Sequence, residues 1–255
     1  MNTIGLLGGM SWESTAIYYR LINQLARFQR GRLHSAPLLI WSADFEDIRR
    51  LQVAGEWYKT AEILAAAACQ LERAGARLLL LCTNTMHKVA TEIEAAVSIP
   101  LLHVADVTAA RIRHAGFQRV GFLGSRYAME QDFYVGRLTR QHALTVFTPT
   151  AVDRDMIDQV IFGELCHGIV SDDSRRRFLQ VIEHLHRRGA EAVIAGCTEI
   201  GMLVQQRHTR LPFFDTTRIH AEEAVRWALA SSRAAPAAQR RARATPAHPR
   251  RANSR

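Results

Sequence analysis

Gly189-Ala190-Glu191-Ala192-Val193-Ile194-Ala195-Gly196-Cys197-Thr198-Glu199-Ile200-Gly201 decides how this chain is read, because Gly75-Ala76-Arg77-Leu78-Leu79-Leu80-Leu81-Cys82-Thr83-Asn84-Thr85-Met86-His87 has the same layout 114 residues earlier. Each runs from a Gly-Ala helix ending through a short apolar run to small polar residues and then to a helix. That is the pattern of a buried parallel strand delivering a loop at its carboxyl end. At the common offset Thr83 lies opposite Cys197, and Asn84 opposite Thr198. The resemblance extends outward: Thr3–Met10 aligns with Arg119–Arg126, and Ile99–His103 with Leu211–Asp215. Three blocks in the same order predict a duplicated α/β unit.

Around these blocks the pattern alternates. Strands are expected near Thr3–Leu7, Pro37–Ser42, Arg77–Cys82, Leu101–Val104, Arg119–Leu123, Leu144–Phe147, Ala192–Ala195 and Phe213–Asp215. Helical periodicity occupies Glu13–Arg30, Trp57–Ala74, Val89–Ala96, Glu130–His142, Arg154–His167, Ser174–Arg188 and Thr216–Ala230. The predicted fold is therefore α/β, with two pseudo-twofold-related domains, each a parallel four-stranded sheet flanked by helices. Residues 1–115 form the first half and 116–215 the second, with 216–230 a possible helix returning to the first. Ligands of such sheets bind beyond the carboxyl ends of the strands. That gathers Gly8-Gly9-Met10, Thr83-Asn84-Thr85, Ser125-Arg126 and Cys197-Thr198-Glu199 around one cleft between the halves.

Charge narrows the partners. The formal net charge is +9, but the stretch from Ser231 onward holds seven arginines and no acidic residue, which leaves the body with a net of only +2. This 231–255 tail of Ala, Pro, Arg and Ser has little to bury, and disorder is expected. With no basic stripe interleaved with aromatics in the body, no specific nucleic-acid partner is expected. No apolar run approaches the roughly 18 residues of a membrane span, and the start lacks a basic leader, so a cytoplasmic protein without a membrane partner is expected. Cys69, Cys82, Cys166 and Cys197 show no CxxC spacing, which favours free thiols over a zinc ribbon or a disulfide framework.

Cys197 is the leading chemical candidate, at a strand end ahead of a helix start whose peptide N–H groups would stabilise a thiolate. Cys82 should face away from Thr83, because side chains alternate along a strand, and reads as packing. Gly5-Leu6-Leu7-Gly8-Gly9 is neither GxGxxG nor a Walker sequence; its glycines suit close backbone approach. His87 could be a metal ligand, but no second ligand pair accompanies it, so no metal is assigned. His103 and Asp215 end matching strands, where they could orient other groups; helix capping is the alternative for Asp215. Lys59 and Lys88 are the two lysines, and neither sits in a phosphate-binding setting that a pyridoxal Schiff base needs. No cofactor is expected.

Gly5-Leu6-Leu7-Gly8-Gly9-Met10-Ser11, Cys82-Thr83-Asn84-Thr85-Met86-His87 and Gly196-Cys197-Thr198-Glu199 together resemble the aspartate/glutamate racemase family, most closely its L-aspartate/glutamate-specific or broad-specificity branch. The resemblance runs from about Asn2 to Ala230. It implies a pyridoxal-independent, two-base mechanism on a small-molecule amino acid, commonly in a homodimer, with acid/base groups at opposite faces of the α-carbon. A thiol with a reference pKa of about 8.5 would be poised near neutrality by helix dipoles and the substrate ammonium. Carried over by position, Cys197 is the main base and Thr83 the opposing relay. Asn84, Thr85 and Thr198 hold the head group, Glu199 lies near the ammonium, and Met10 and Gln52 line the side-chain end. Arg49, Arg50 and Arg126 could clamp a carboxylate, although a solvated face is favoured for Arg49 and Arg50.

Two departures matter. Aspartate racemases usually carry cysteine where this chain has Thr83, and Cys166 falls where some carry lysine. A threonine hydroxyl is a far weaker acid than a thiol, so the two faces are chemically unequal. Racemisation nevertheless has an equilibrium constant of one, which forces kcat/KM to match in both directions. The residues also leave open a cysteine-dependent decarboxylase or isomerase of the same fold, and a non-catalytic amino-acid-binding protein.

Overall fold

The computed structural model describes residues 1–242, with side chains through residue 230. The first half comprises β1 (Ile4–Gly8), α1 (Trp12–Arg30), β2 (Leu38–Ser42), α2 (Phe45–Val53), α3 (Trp57–Arg73), β3 (Leu78–Leu81), a 3-10 turn (Thr85–Val89), α4 (Ala90–Ala96) and α5 (Val104–His114). The second comprises β4 (Arg119–Gly124), α6 (Arg126–Glu130), α7 (Asp132–His142), β5 (Thr145–Phe147), α8 (Ala151–Gly163), a 3-10 turn (Leu165–His167), α9 (Asp172–Arg187), β6 (Ala192–Gly196), α10 (Ile200–Leu203) and β7 (Phe213–Asp215). α11 (Thr216–Ala242) closes the chain. Among the described residues no helix is long and apolar enough to cross a membrane.

All pairings are parallel. The sheets have the orders β2-β1-β3 and β5-β4-β6-β7, so β1 corresponds to β4, β2 to β5 and β3 to β6. The first sheet departs from the expected four strands. At Leu101–Val104 the pairing shrinks to one bridge, Leu79 to Leu101, because His103 leaves the extended run to cap α5, its Nδ1 accepting the Ala105 N–H at 3.2 Å. That cap, like Asp44 ahead of α2, starts a helix that the apolar periodicity did not reveal.

Leu7, Leu79 and Leu81 pack under α3 on one face of the first sheet, and Ile4, Leu6, Leu78 and Leu80 meet Tyr18 and Ile22 of α1 on the other. α11 follows β7 of the second half but packs on the first, burying Ala221, Ala224, Val225 and Ala228 in the cluster that holds Tyr18. The Asn2 N–H donates to the Ala228 carbonyl at 2.9 Å. The backbone thus crosses between the halves twice, ahead of α5, which buries Val104, Ala105, Ala109 and Ile112 in the cluster of the second sheet, and at the β7–α11 junction, and Phe117 after α5 meets Phe214 of β7 edge-on, centroids 6.1 Å apart. α11 continues past Ser231 to Ala242, where disorder was expected; alanine and arginine are among the strongest helix formers. Residues 243–255 lie outside the described residues.

Gly9 has φ +85°, and a Cβ there would come 2.3 Å from the Ala43 backbone, so the Gly8-Gly9 turn serves close approach between two loops. At Gly196 a Cβ would sit 2.3 Å from the Phe122 ring.

A buried histidine cluster joins α11 to the turn after β3. The His220 Nε2–H donates to the Leu102 carbonyl at 2.8 Å, which leaves Nδ1 to accept from the Tyr18 hydroxyl at 2.8 Å. His87 accepts the Val104 N–H at Nε2 (3.2 Å), so its Nδ1–H donates to the Thr83 carbonyl at 2.8 Å. The His87 and His103 rings lie 4.5 Å apart. Burial, reinforced by neighbouring charge, holds His87 well below its ordinary value and takes His103 and His220 to about 3. All three are neutral in the fold, whereas an unfolded chain would protonate them below pH 6.5. The unfolded state then binds more protons, so the stability these residues confer is complete above that value and falls as pH drops through it. Urea unfolding between pH 8 and 5 should show a plateau, then a loss whose slope approaches about 4 kcal/mol per pH unit, about 1.4 for each histidine. A flat profile down to pH 5 would contradict neutral burial.

Candidate active site

Both reactive loops leave the carboxyl ends of corresponding strands. Past β6, Thr198 and Glu199 are buried and Cys197 is half-buried. The Cys197 thiol donates to Glu199 Oε2 at 2.9 Å. The other oxygen, Oε1, accepts from the Ser11 hydroxyl at 2.8 Å, from Ser14 at 2.7 Å and weakly from the Cys166 thiol at 3.8 Å. Burial, and after it the Glu199 charge, pushes the Cys197 thiol well above its ordinary value. α10 has only four residues and begins after Glu199, and at the sulfur the Glu199 backbone N–H, which favours the thiolate, is outweighed by burial and the Glu199 side chain. The resting group is a neutral thiol hydrogen-bonded to a carboxylate.

Past β3, Thr83 is half-buried and its carbonyl is held by His87. Asn84 is buried; its Nδ2 donates to Thr216 Oγ1 at 3.2 Å, and that hydroxyl donates to the Ala195 carbonyl at 2.8 Å. Asn84 Oδ1 is buried without a partner among the described residues. Thr85 and Ser125 share a hydroxyl hydrogen bond of 2.8 Å across the two halves. Met10 packs in the apolar cluster with Ile48 and Met86, while the buried Gln52 donates Nε2–H to Met86 Sδ at 3.0 Å. Cys82 is fully buried and its thiol is pushed up by burial alone, as befits a packing residue. Asp215 caps α11, its Oδ1 accepting the Thr217 and Arg218 N–H groups at 2.9 and 3.2 Å.

The three arginines separate. Arg50 is an exposed partner of Asp47 at 2.7 Å, and Arg126 pairs with Asp155 on the surface of the second half. Arg49 departs from the solvated face expected of it. Its guanidinium stacks on Phe162, 4.1 Å from the ring centroid, with Tyr127 at 5.9 Å. Its Nη1 is buried without a hydrogen-bond partner among the described residues. A charged donor in that state can receive a carboxylate. Arg49 also lowers the Cys166 thiol, although burial and the Glu199 charge raise it overall, so Arg49, Cys166 and Glu199 belong to one electrostatic neighbourhood. Among the described residues no three His, Cys, Asp or Glu side chains converge as metal ligands.

Ser125 was placed at the cleft and Ser11 stood in the first motif, both without a role, whereas Ser14, Thr216 and Phe162 were not foreseen. Ser11 carried a usable signal as the residue opening α1, where its hydroxyl accepts the Ser14 N–H. The others gain their significance only from contacts across the cleft.

The model of the Asp/Glu/hydantoin racemase family matches residues 7–224. The broad-specificity amino-acid racemase RacX of Bacillus subtilis is 22% identical over 228 residues, covering 87% of this chain and 96% of that protein. A crystal structure of a candidate Asp/Glu racemase from Yersinia pestis shares 50% identity with a TM-score of 0.84, covering 90% of this chain and all of that one. An aspartate racemase homologue from Pyrococcus horikoshii shares 30% with a TM-score of 0.79, covering 89% of this chain and 99% of that one. The match takes in the loops past β3 and β6 and all of the sheets but the first residues of β1, and the chain belongs to the Asp/Glu/hydantoin racemase family.

Proposed function

We propose that this protein is a pyridoxal-independent amino-acid racemase, acting on aspartate, glutamate or a broader set, in which Cys197 removes the α-proton and Thr83 serves the opposite face. The observation that carries this reading is the pairing of the two loops: Cys197 and Thr83 occupy equivalent positions past β6 and β3 in a duplicated fold. The lysines support chemistry without a Schiff base. Lys59 is tied to Glu56 at 2.6 Å, and Lys88 lies 4.1 Å over the Trp57 ring while donating to Gln131. A cytoplasmic homodimer belongs to the same proposal, by resemblance to the family.

In this mechanism Glu199 draws the thiol proton of Cys197, and the resulting thiolate takes the α-hydrogen. Thr83, relaying a proton from water, protonates the other face; the hydroxide left behind is neutralised by the proton held on Glu199, passed through solvent, so the enzyme is restored and the substrate leaves with its composition unchanged and its configuration inverted. The unpartnered Asn84 Oδ1 accepts from the substrate ammonium, and Thr85 and Thr198 complete the head-group site. Met10 and Gln52 line the side-chain end. Arg49 Nη1 receives a carboxylate; a bonded charged group of this kind replaces a buried, unsatisfied donor, which is costly to leave unmade. Because Thr83 is the weaker acid, the enantiomers differ in kcat and KM separately while their kcat/KM values stay equal.

Proton NMR in D2O with L- and D-aspartate, glutamate and a panel of other amino acids, alongside chiral chromatography, tests the reading. Exchange of the α-proton with appearance of the antipode is expected. Cys197→Ala should lower kcat by about 10²–10⁴-fold, the worth of general acid–base catalysis, whereas Thr83→Ala should keep exchange from one enantiomer and lose inversion. No exchange with any amino acid would sink the proposal, and carbon dioxide release from a substituted malonate would put a decarboxylase in its place. Arg49→Ala should raise KM for aspartate and glutamate by about 10–100-fold, matching the loss of one charge-assisted hydrogen bond, with a smaller change for uncharged side chains. An equal change for all substrates would assign Arg49 to the shared α-carboxylate.

A further inference from the structure

We infer that Ser11 and Ser14 of the first half are positioning residues for the Cys197 base of the second, acting through Glu199; this rests on the assignment of Cys197 made above. Glu199 is 4% exposed, and among the described residues no Lys, Arg or His lies within ion-pair distance of it. A buried carboxylate without a cation depends on hydrogen-bond donors. The donors here are two hydroxyls and two thiols, and they are not shared evenly. Both short O–H donors, at 2.8 and 2.7 Å, fall on Oε1. Oε2 is thereby left to the Cys197 thiol at 2.9 Å.

The terminal torsion of a glutamate is broad and nearly two-fold, so the carboxylate has little orientation of its own. The seryl donors supply it. Ser11 is itself directed by its helix: its oxygen accepts the Ser14 N–H at 3.3 Å as the cap of α1. A hydroxyl has one proton to give, and with a lone pair engaged in capping, that proton points at Glu199. Ser14, one turn further on, gives its own proton to the same oxygen. The thiol and carboxylate are neighbours on one loop, but the groups that aim them come from the other sheet.

The experiment compares Ser11→Ala, Ser14→Ala and the double variant with Ser11→Thr and Ser14→Thr, which keep the hydroxyl, using the full chain and the exchange assay. Ser14→Ala leaves the helix cap intact and separates positioning from capping. Alongside kinetics, the S–H stretch of Cys197, identified as the infrared band lost in Cys197→Ala, reads its hydrogen bond to Glu199 without any turnover. In the double variant kcat should fall about 10–100-fold, the scale of charge-assisted hydrogen bonds, with KM within about threefold. The band should move to higher wavenumber as the bond loosens, and the threonine variants should restore both. An unmoved band, an unchanged kcat, or a rise in KM in place of the fall in kcat would overturn the inference. Should the wild type racemise no amino acid, the band alone decides, and only the racemase reading falls. Full exchange by Cys197→Ala would end both.

Discussion

A carboxylate buried beside a thiol has to be satisfied by neighbours, and at Glu199 those neighbours are hydroxyls carried by the opposite half of the molecule. The loop past β6 could not hold this arrangement alone. Without Ser11 and Ser14 it would present a buried carboxylate short of hydrogen-bond donors next to Cys197, which is costly. The apposition of the halves and the chemistry of the thiol are therefore set by the same contacts.

Other polar contacts follow the same logic. Thr85 meets Ser125, Lys88 meets Gln131, and Asn84 reaches through Thr216 to the Ala195 carbonyl. Further from the cleft, Asp106 of α5 binds Arg137 of α7 through two hydrogen bonds of 2.6 Å and accepts His142 at 2.8 Å. Burial works against ionisation of Asp106, but the guanidinium and imidazole donors outweigh it and hold its carboxyl at about 2. The two sheets bury their apolar faces in separate clusters, α5 packing on the second and α11 on the first, so their mutual placement rests on this exchange of helices together with the directional polar contacts.

The duplicated plan was legible because apolar runs of fixed length ending in Gly or Cys are a one-dimensional signal. Seven of the eight expected strands form in nearly the expected places. The eighth was lost to a competition that hydropathy does not register, between extending the strand at Leu101 and letting His103 cap α5. Cys197 and Thr83 could be singled out by position, yet the state of the thiol could not, since it depends on a carboxylate two residues away being buried by a different half. Arg49 looked like surface until Phe162, more than a hundred residues distant, came to lie under its guanidinium. His87, His103 and His220 are three scattered letters whose neutral forms follow from who donates to whom.

The chain passes between its halves at two points, into α5 and into α11, and the two helices are tied to each other by Arg111 and Glu222 at 2.9 Å, with Phe117 touching Phe214 nearby. Each half thus lends a helix to the other, so that neither core is complete without its neighbour. The hydroxyls of Ser11 and Ser14 therefore reach Glu199 from a body whose own core the rest of the chain completes.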